Sequence, residues 1–105
     1  MTIVFKSTAK RELERILEYG INEFGETAAM NFFNGMKEKV MHLATMPEFG
    51  RPERLLAHRT IPYRSLIISK HHKAIYYVDE DKQQIVIADI WDMRRLPTSM
   101  AKRIK

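Results

Sequence analysis

Six arginines, Arg51, Arg54, Arg59, Arg64, Arg94 and Arg95, fall with Lys70 and Lys73 around the ends of what read as β-strands in the second half of the chain. A guanidinium is a planar, permanently charged fork that holds phosphate in a fixed orientation and can stabilise the charge that builds on a phosphorane. The spacing permits one shared concave site. The structural alternative is that single members pair with Asp89, Asp92 or Glu53 on the surface. Other candidate chemistry is weaker. His71-His72 sits where a hairpin tip is expected, and adjacent strand residues point to opposite faces, so the two rings cannot easily grip one ion. Asp79-Glu80-Asp81 lacks the alternate-residue ligands and the glycine of a calcium loop and reads as a charged turn. The patterns GxxxxGK[ST], GxGxxG, GxSxG and HExxH do not occur, which sets aside phosphate-loop, dinucleotide, hydrolase-elbow and zincin chemistry. With no cysteine there are no disulfides, thiolate metal sites or cysteine nucleophiles. Neither a metal nor a cofactor is implied.

The elements that must position these cations can be read from periodicity. With 105 residues, 45% hydrophobic and 30% charged, the chain suits a single folded domain spanning 1–105. Met1 to Phe5 is β-branched and aromatic and reads as an opening strand. Ser7 or Thr8 can cap a first helix with an apolar stripe at Ala9, Leu13, Ile16, Leu17, Ile21 and Phe24, and Gly25 suits the position just past its end. Ala29, Phe32, Phe33, Met36, Val40, Leu43 and Met46 draw a second stripe, and the methionines Met30, Met36, Met41 and Met46 read as core filling. Pro47 stops that helix, and Glu48 to Pro52 is a loop by composition. The period then changes to two. Tyr63–Ser69, Lys73–Asp79 and Gln84–Trp91 read as three strands in meander order, joined by short polar turns. Strict alternation in the last puts Ile85, Ile87, Asp89 and Trp91 on one face and Val86, Ala88 and Ile90 on the other. One face must pack on the helices, and the second needs cover from the chain's own tail or from a partner. Trp91 and Tyr76 or Tyr77 read as packing on these faces. Thr98 to Lys105 is a short basic tail with a helical option.

Charge is uneven. Residues 1–50 hold 6 Lys and Arg against 7 Asp and Glu, whereas 51–105 hold 12 against 6. A basic second half attracts phosphate backbones or an acidic protein. No apolar run approaches the roughly 20 residues needed to cross a bilayer, and Met1 to Phe5 leads into charge rather than a signal-peptide core. A cytoplasmic protein without a membrane partner is the expectation.

The order strand, helical hairpin, loop with Pro47 and Gly50-Arg51, then three strands ending in Ile90-Trp91-Asp92-Met93-Arg94-Arg95-Leu96-Pro97 resembles the RelE/ParE superfamily of toxins from bacterial type II toxin–antitoxin, or plasmid stabilisation, systems. Tyr63-Arg64, the stretch Lys73 to Asp79 and the closing Ile90 to Pro97 carry the resemblance, which covers nearly the whole chain. It implies an α+β fold of order β-α-α-β-β-β, an antiparallel sheet of about four strands against an N-terminal helical hairpin. It also implies a growth-inhibiting toxin neutralised by a cognate antitoxin, as a toxin dimer or a toxin–antitoxin hetero-oligomer. ParE-like members inhibit DNA gyrase by binding; RelE-like members cleave messenger RNA on the ribosome. On the RelE-like reading Arg64, Lys73 and Arg94 match the basic catalytic groups. However, Leu66 stands where a second strand lysine is expected, and no Tyr or His follows Arg95. Proton-transfer groups typically contribute about a hundredfold to ten-thousandfold each, so their absence favours the ParE-like branch. The expected target or antitoxin surface is then Arg51, Arg54, Arg64, Lys73, Trp91, Arg94 and Arg95, gathered on one side of the sheet.

Overall fold

The computed structural model describes residues 1–104. An opening strand β1 (Thr2–Phe5) leads into α1 (Ser7–Phe24) and α2 (Glu26–Met41). The chain continues through β2 (Arg51–Pro52), β3 (Arg64–Ile67), β4 (His72–Asp79) and β5 (Gln84–Asp92) to a short α3 (Ser99–Arg103). Single 3-10 turns at His42–Ala44 and Arg54–Leu56 lie between α2 and β3.

The helices form where the stripes predict. Helix α1 opens after Lys6 without a side-chain cap, so Ser7 and Thr8 lie within its first turn instead of capping it. Its end follows the expected device: Gly25 takes φ of 90° and donates its N–H to the Ile21 carbonyl at 3.0 Å, a conformation that costs a side-chain-bearing residue more. Helix α2 ends at Met41 and tightens into the 3-10 turn before Pro47 is reached.

The sheet order is β1-β5-β4-β3-β2. The meander of β3, β4 and β5 is antiparallel, as the short turns require. The sheet is nevertheless mixed and has five strands. β1 lies parallel to β5, and the helical hairpin belongs to the long crossover that a parallel neighbour needs. β2 is a two-residue strand on β3.

Two apolar layers flank the sheet. On one side Leu66, Ala74, Tyr76, Ile85, Ile87 and Ile90 pack against Ala9, Met36, Val40 and Leu43 of the helical side. On the other, Ile75, Ala88 and Trp91 pack beneath Leu56, Tyr63, Met100 and Ile104. The tail therefore supplies part of the second cover. A fully buried side chain of this size contributes roughly 1.5–3 kcal/mol, so both layers matter to a chain this short.

Alternation fails at one place in β5. Tyr76 pairs with Ile87 and Ile75 with Asp89, which leaves Ala88 as an extra residue in a β-bulge. Upstream, Ile85 and Ile87 face the helices as period two demands; beyond the bulge the faces exchange, so Ile90 joins them while Trp91 faces the tail. The four methionines expected along the second helix also depart from expectation. Met36 is buried, whereas Met30 and Met41 of α2 and Met46, which lies past the helix end, are exposed. Only part of α2's circumference meets the sheet, and methionine gap filling is needed only there. Among the described residues no helix is long and apolar enough to cross a membrane.

Candidate interaction surface

Strand direction decides where each cation goes, and it separates them. Lys73 precedes Ile75 by two residues and shares its tail-side face, where its ammonium pairs with the buried Glu53 carboxylate. Glu53 also accepts the Leu55 N–H at 3.1 Å, closing the turn that follows β2. Arg64 stands opposite Tyr76 in the register, and its Nη1 donates to the carbonyls of Gly50 at 2.6 Å and Glu48 at 3.4 Å.

Arg94 folds back on the end of β5. Its Nε and Nη2 donate to the two oxygens of Asp92 at 3.0 and 2.8 Å, and its backbone N–H adds a third bond at 2.9 Å. The Arg94 side-chain bonds hold the Asp92 carboxyl far below the usual carboxylate range, and Asp92 in turn raises the guanidinium. This pair borders a cleft of about 530 Å³ against Ile16, Tyr19 and Phe32. His72 lines the same cleft with its ring edge-on to Phe32 at 5.6 Å, and burial lowers its pKa, the nearby Arg94 and His71 adding to the effect and Asp92 opposing it. Arg95 lies on the other face, its guanidinium 5.8 Å from the ring centre of Trp91.

The four cations expected on one surface therefore occupy two faces, each held by a different partner. Their partners are a carboxylate for Lys73 and Arg94, backbone carbonyls for Arg64 and an indole ring for Arg95. Trp91, named both as packing on a sheet face and as part of the expected surface, takes the packing role: it is buried, with Arg103 as well as Arg95 over its ring at 5.8 Å. Leu66, the residue standing in place of a strand lysine, is core.

Arg51 and Arg54 are different. Both are exposed, and neither forms an ion pair among the described residues. They line a groove of about 870 Å³ together with Phe49, Ile67, Lys73 and Met93. The loop that carries Phe49 and Arg51 is fixed from beneath. Gly50 donates its N–H to the Tyr76 hydroxyl at 2.9 Å, and that hydroxyl donates to the Pro47 carbonyl at 2.7 Å. Burial raises the pKa of the phenol. A Cβ on Gly50 would lie 2.6 Å from the Ser65 carbonyl and from the Tyr76 ring and hydroxyl, so glycine is required by close approach. The loop was legible from Pro47 and Gly50, but Phe49 and Ile67 as exposed groove residues were not: Ile67 sits in an apolar strand run that reads as core, and loop composition does not say which way Phe49 turns.

A second polar group escaped the sequence reading. Arg103 of α3 places its Nε 2.6 Å from Asp89 Oδ2 and its Nη2 3.0 Å from Glu12 Oε2, which also accepts neighbouring contact from Arg15 through Oε1 at 2.8 Å. Burial pushes the Asp89 carboxyl up, partly offset by Arg103. At Glu12 burial also raises the pKa, but Arg15 and Arg103 outweigh it and the net shift is downward. This cluster ties the tail to α1 and β5 and stands beside the bulge. It is a fastening, and its Glu12 and Arg15 also line the cleft that Asp92 and Arg94 border. Among the described residues no three His, Asp or Glu side chains converge as a metal site.

Residues 3–97 match the family model described as the ParE toxin of type II toxin–antitoxin system, parDE. No curated protein matches in sequence. Among solved structures, a chain of the chromosomal ParDE system from P. aeruginosa is similar at a TM-score of 0.69 and 21% identity, over 88% of this chain and 95% of that one. A metal-bound toxin from Helicobacter pylori aligns at a TM-score of 0.65 and 14% identity, over 91% and 98%. The RelBE2 toxin–antitoxin complex from Mycobacterium tuberculosis contains a chain similar at a TM-score of 0.52 and 19% identity, over 87% and 88%.

Proposed function

The chain belongs to the ParE toxin family of type II toxin–antitoxin systems, and from that premise we propose that it arrests growth by binding and inhibiting DNA gyrase until a cognate antitoxin neutralises it. The family match over residues 3–97 carries the reading. What the cations do supports binding over catalysis. In-line cleavage of RNA needs a base, an acid and unengaged cations converging on one phosphate. Here Lys73 is engaged by Glu53 and Arg94 by Asp92, Arg64 donates to Gly50, and Leu66 is buried. Arg51 and Arg54 are left as the open cations for contact with a macromolecular partner. The apolar end of the helical hairpin, where Tyr19 and Phe24 are 61% and 71% exposed, offers further contact area.

Two reactions with purified protein test this. A gyrase supercoiling assay should lose activity on addition of the protein, with messenger RNA left intact in a ribosome-containing translation reaction. Cleavage of messenger only when ribosomes are present, with supercoiling unaffected, would assign the chain to the RelE-like activity instead. Induced expression should stop growth, and co-expression of the antitoxin should restore it.

A further inference from the structure

We propose that the groove between the Pro47–Arg54 segment and the outer edge of β3 is a docking site for an extended, acidic segment of a partner protein, bound as an added strand. The identity of that partner as an antitoxin rests on the functional reading above; the chemistry of the groove does not. Three observations carry it.

The first is an open strand edge. Glu53 donates its N–H to the Tyr63 carbonyl on the β2 side, while Ile68 donates to His72 on the β4 side. Backbone groups alternate along a strand, so Tyr63, Ser65 and Ile67 turn outward and Arg64, Leu66 and Ile68 inward. β2 pairs with Ser65 and Arg64 and then stops. The chain turns away because the Gly50 N–H is committed to Tyr76 and the Phe49 N–H to Met46. Ile67 is thus left with an N–H and a carbonyl facing outward beside a groove, the arrangement that strand addition uses.

The second is apolar contact next to that edge. Phe49 and Ile67 are 56% and 57% exposed, and both line the groove. The loop bearing Phe49 is held by the Tyr76 and Arg64 hydrogen bonds, so little freedom remains to be lost on binding.

The third is charge. Arg51 and Arg54 flank the groove without ion partners among the described residues, and its carboxylate, Glu53, is already taken by Lys73. A net positive rim above an apolar strip, beside an unpaired strand, matches a peptide in which acidic and apolar residues alternate. An RNA strand would use the arginines but would leave the Ile67 backbone groups and the aliphatic surface without complements.

The probe is a fluorescein-labelled ten-residue peptide of alternating Glu and Val, compared with its Lys and Val counterpart and with a ten-nucleotide oligouridylate. The acidic peptide should raise anisotropy on titration with the intact protein, the basic one should not, and the Arg51→Glu/Arg54→Glu double variant should bind at least tenfold more weakly. Both arginines are exposed and unpaired, so a matching thermal melt confirms that this variant is folded. Hydrogen exchange at the Ile67 amide should slow at least tenfold when the peptide saturates, since only strand pairing protects that group. Unchanged exchange at Ile67, undiminished binding to the double variant, or no binding by the acidic peptide overturns the proposal. Tighter binding of the oligouridylate than of the peptide at the same arginines also overturns it and makes the groove a nucleic-acid site. Failure of the wild-type protein to bind the acidic peptide, with growth arrest intact, would remove the groove inference while leaving the toxin reading in place.

Discussion

The two sides of the sheet are closed by different means. The helical side is closed by area: α1, α2 and the 3-10 turn that follows bring Ala9, Met36, Val40 and Leu43 onto Tyr76, Ile87 and Ile90. The tail side has only a five-residue helix and a 3-10 turn to cover Ile75, Ala88 and Trp91. Such short elements cannot hold themselves in place. Charged and polar fastenings supply what is missing: Arg103 to Asp89 and Glu12, Lys73 to Glu53, and the Arg59 Nη2 donating to the Ala101 carbonyl at 2.7 Å. Where a cover is broad, shape and apolar burial suffice; where it is narrow, buried charge fixes its position. That division also explains the fate of the cations. Lys73 and Arg103 are consumed in building the second layer, which leaves fewer for partners.

The largest effect should come from the fastening. Replacing Arg103 by Met leaves Asp89, a fully buried carboxylate, without its partner, and breaking a buried pair from one side typically costs about 3–5 kcal/mol. Urea unfolding should show that loss, and the Arg103→Met/Asp89→Asn double variant should recover much of it. If the single variant unfolds at the wild-type midpoint, the tail is not held by charge and the contrast between the two sides disappears.

A matched pair of truncations sharpens the same contrast. Met36→Ala and Met100→Ala remove equivalent buried side chains from the helical and tail layers. Substitutions of this kind cost about 2–5 kcal/mol, according to how far the site can collapse. Met36→Ala should reach the upper part of that range and lower protection of all slow-exchanging amides together. Met100→Ala should cost less, because the free energy of releasing α3 sets a ceiling, and should speed exchange mainly around Ser99–Arg103. Equal losses with equally global exchange would show that the tail layer is part of one cooperative core.

Much of this architecture is legible in the amino-acid sequence, and what is not has physical causes. The two stripes and Gly25 located the hairpin, because a helix facing one core repeats its apolar residues every three or four positions. The meander followed from β-branched runs separated by short polar turns. The parallel placement of β1 beside β5 joins residues about 80 positions apart, which no local period reports. The bulge at Ala88 inverted the faces of Ile90 and Trp91, since a single extra residue shifts every later side chain. Arg103, Asp89 and Glu12 come from three distant segments, so their meeting was invisible, whereas the Asp92 and Arg94 pair is local and the sequence did offer Asp92 as a partner for the arginines. At the candidate site the sequence selected Arg51 and Arg54, but it grouped them with cations that the strand faces separate.

The loop that presents those two arginines gives a smaller test. Tyr76→Phe keeps the ring in the helical-side core and removes the hydroxyl that accepts from Gly50 and donates to Pro47. Leaving a buried donor or acceptor unmatched costs about 1–3 kcal/mol. The comparison predicts more than lost stability. Because the hydroxyl holds the loop rather than the core, binding of an acidic peptide at Arg51 and Arg54 should weaken by a larger factor than in a core variant of equal stability, such as Val40→Ala. Equal weakening in both would make Tyr76 an ordinary core residue.

The smallest effect concerns pH and separates the clefts on the helical side from the core beneath them. His72, half-buried in the cleft beside Phe32, has its pKa lowered chiefly by burial, with Arg94 and His71 adding to this and Asp92 and Glu12 opposing it. The unfolded chain therefore binds a proton more readily than the folded one, and stability should fall as pH drops below about 6.5 towards the lower folded value. The carboxylates with depressed values, Asp92 and Glu12, act in a different window: their contribution is present above the unfolded range near 4 and is lost only as pH falls below it. Asp89, raised by burial, acts in the opposite sense as pH rises, but it is common to both proteins compared. The difference between wild type and His72→Gln from pH 7 to 5 thus isolates the imidazole. The variant should lose less stability than wild type over that interval, by denaturant midpoints at fixed salt. Parallel curves would mean that the ring takes its proton as freely in the folded cleft as in the unfolded chain, and that the cleft is wetter than its apolar lining indicates.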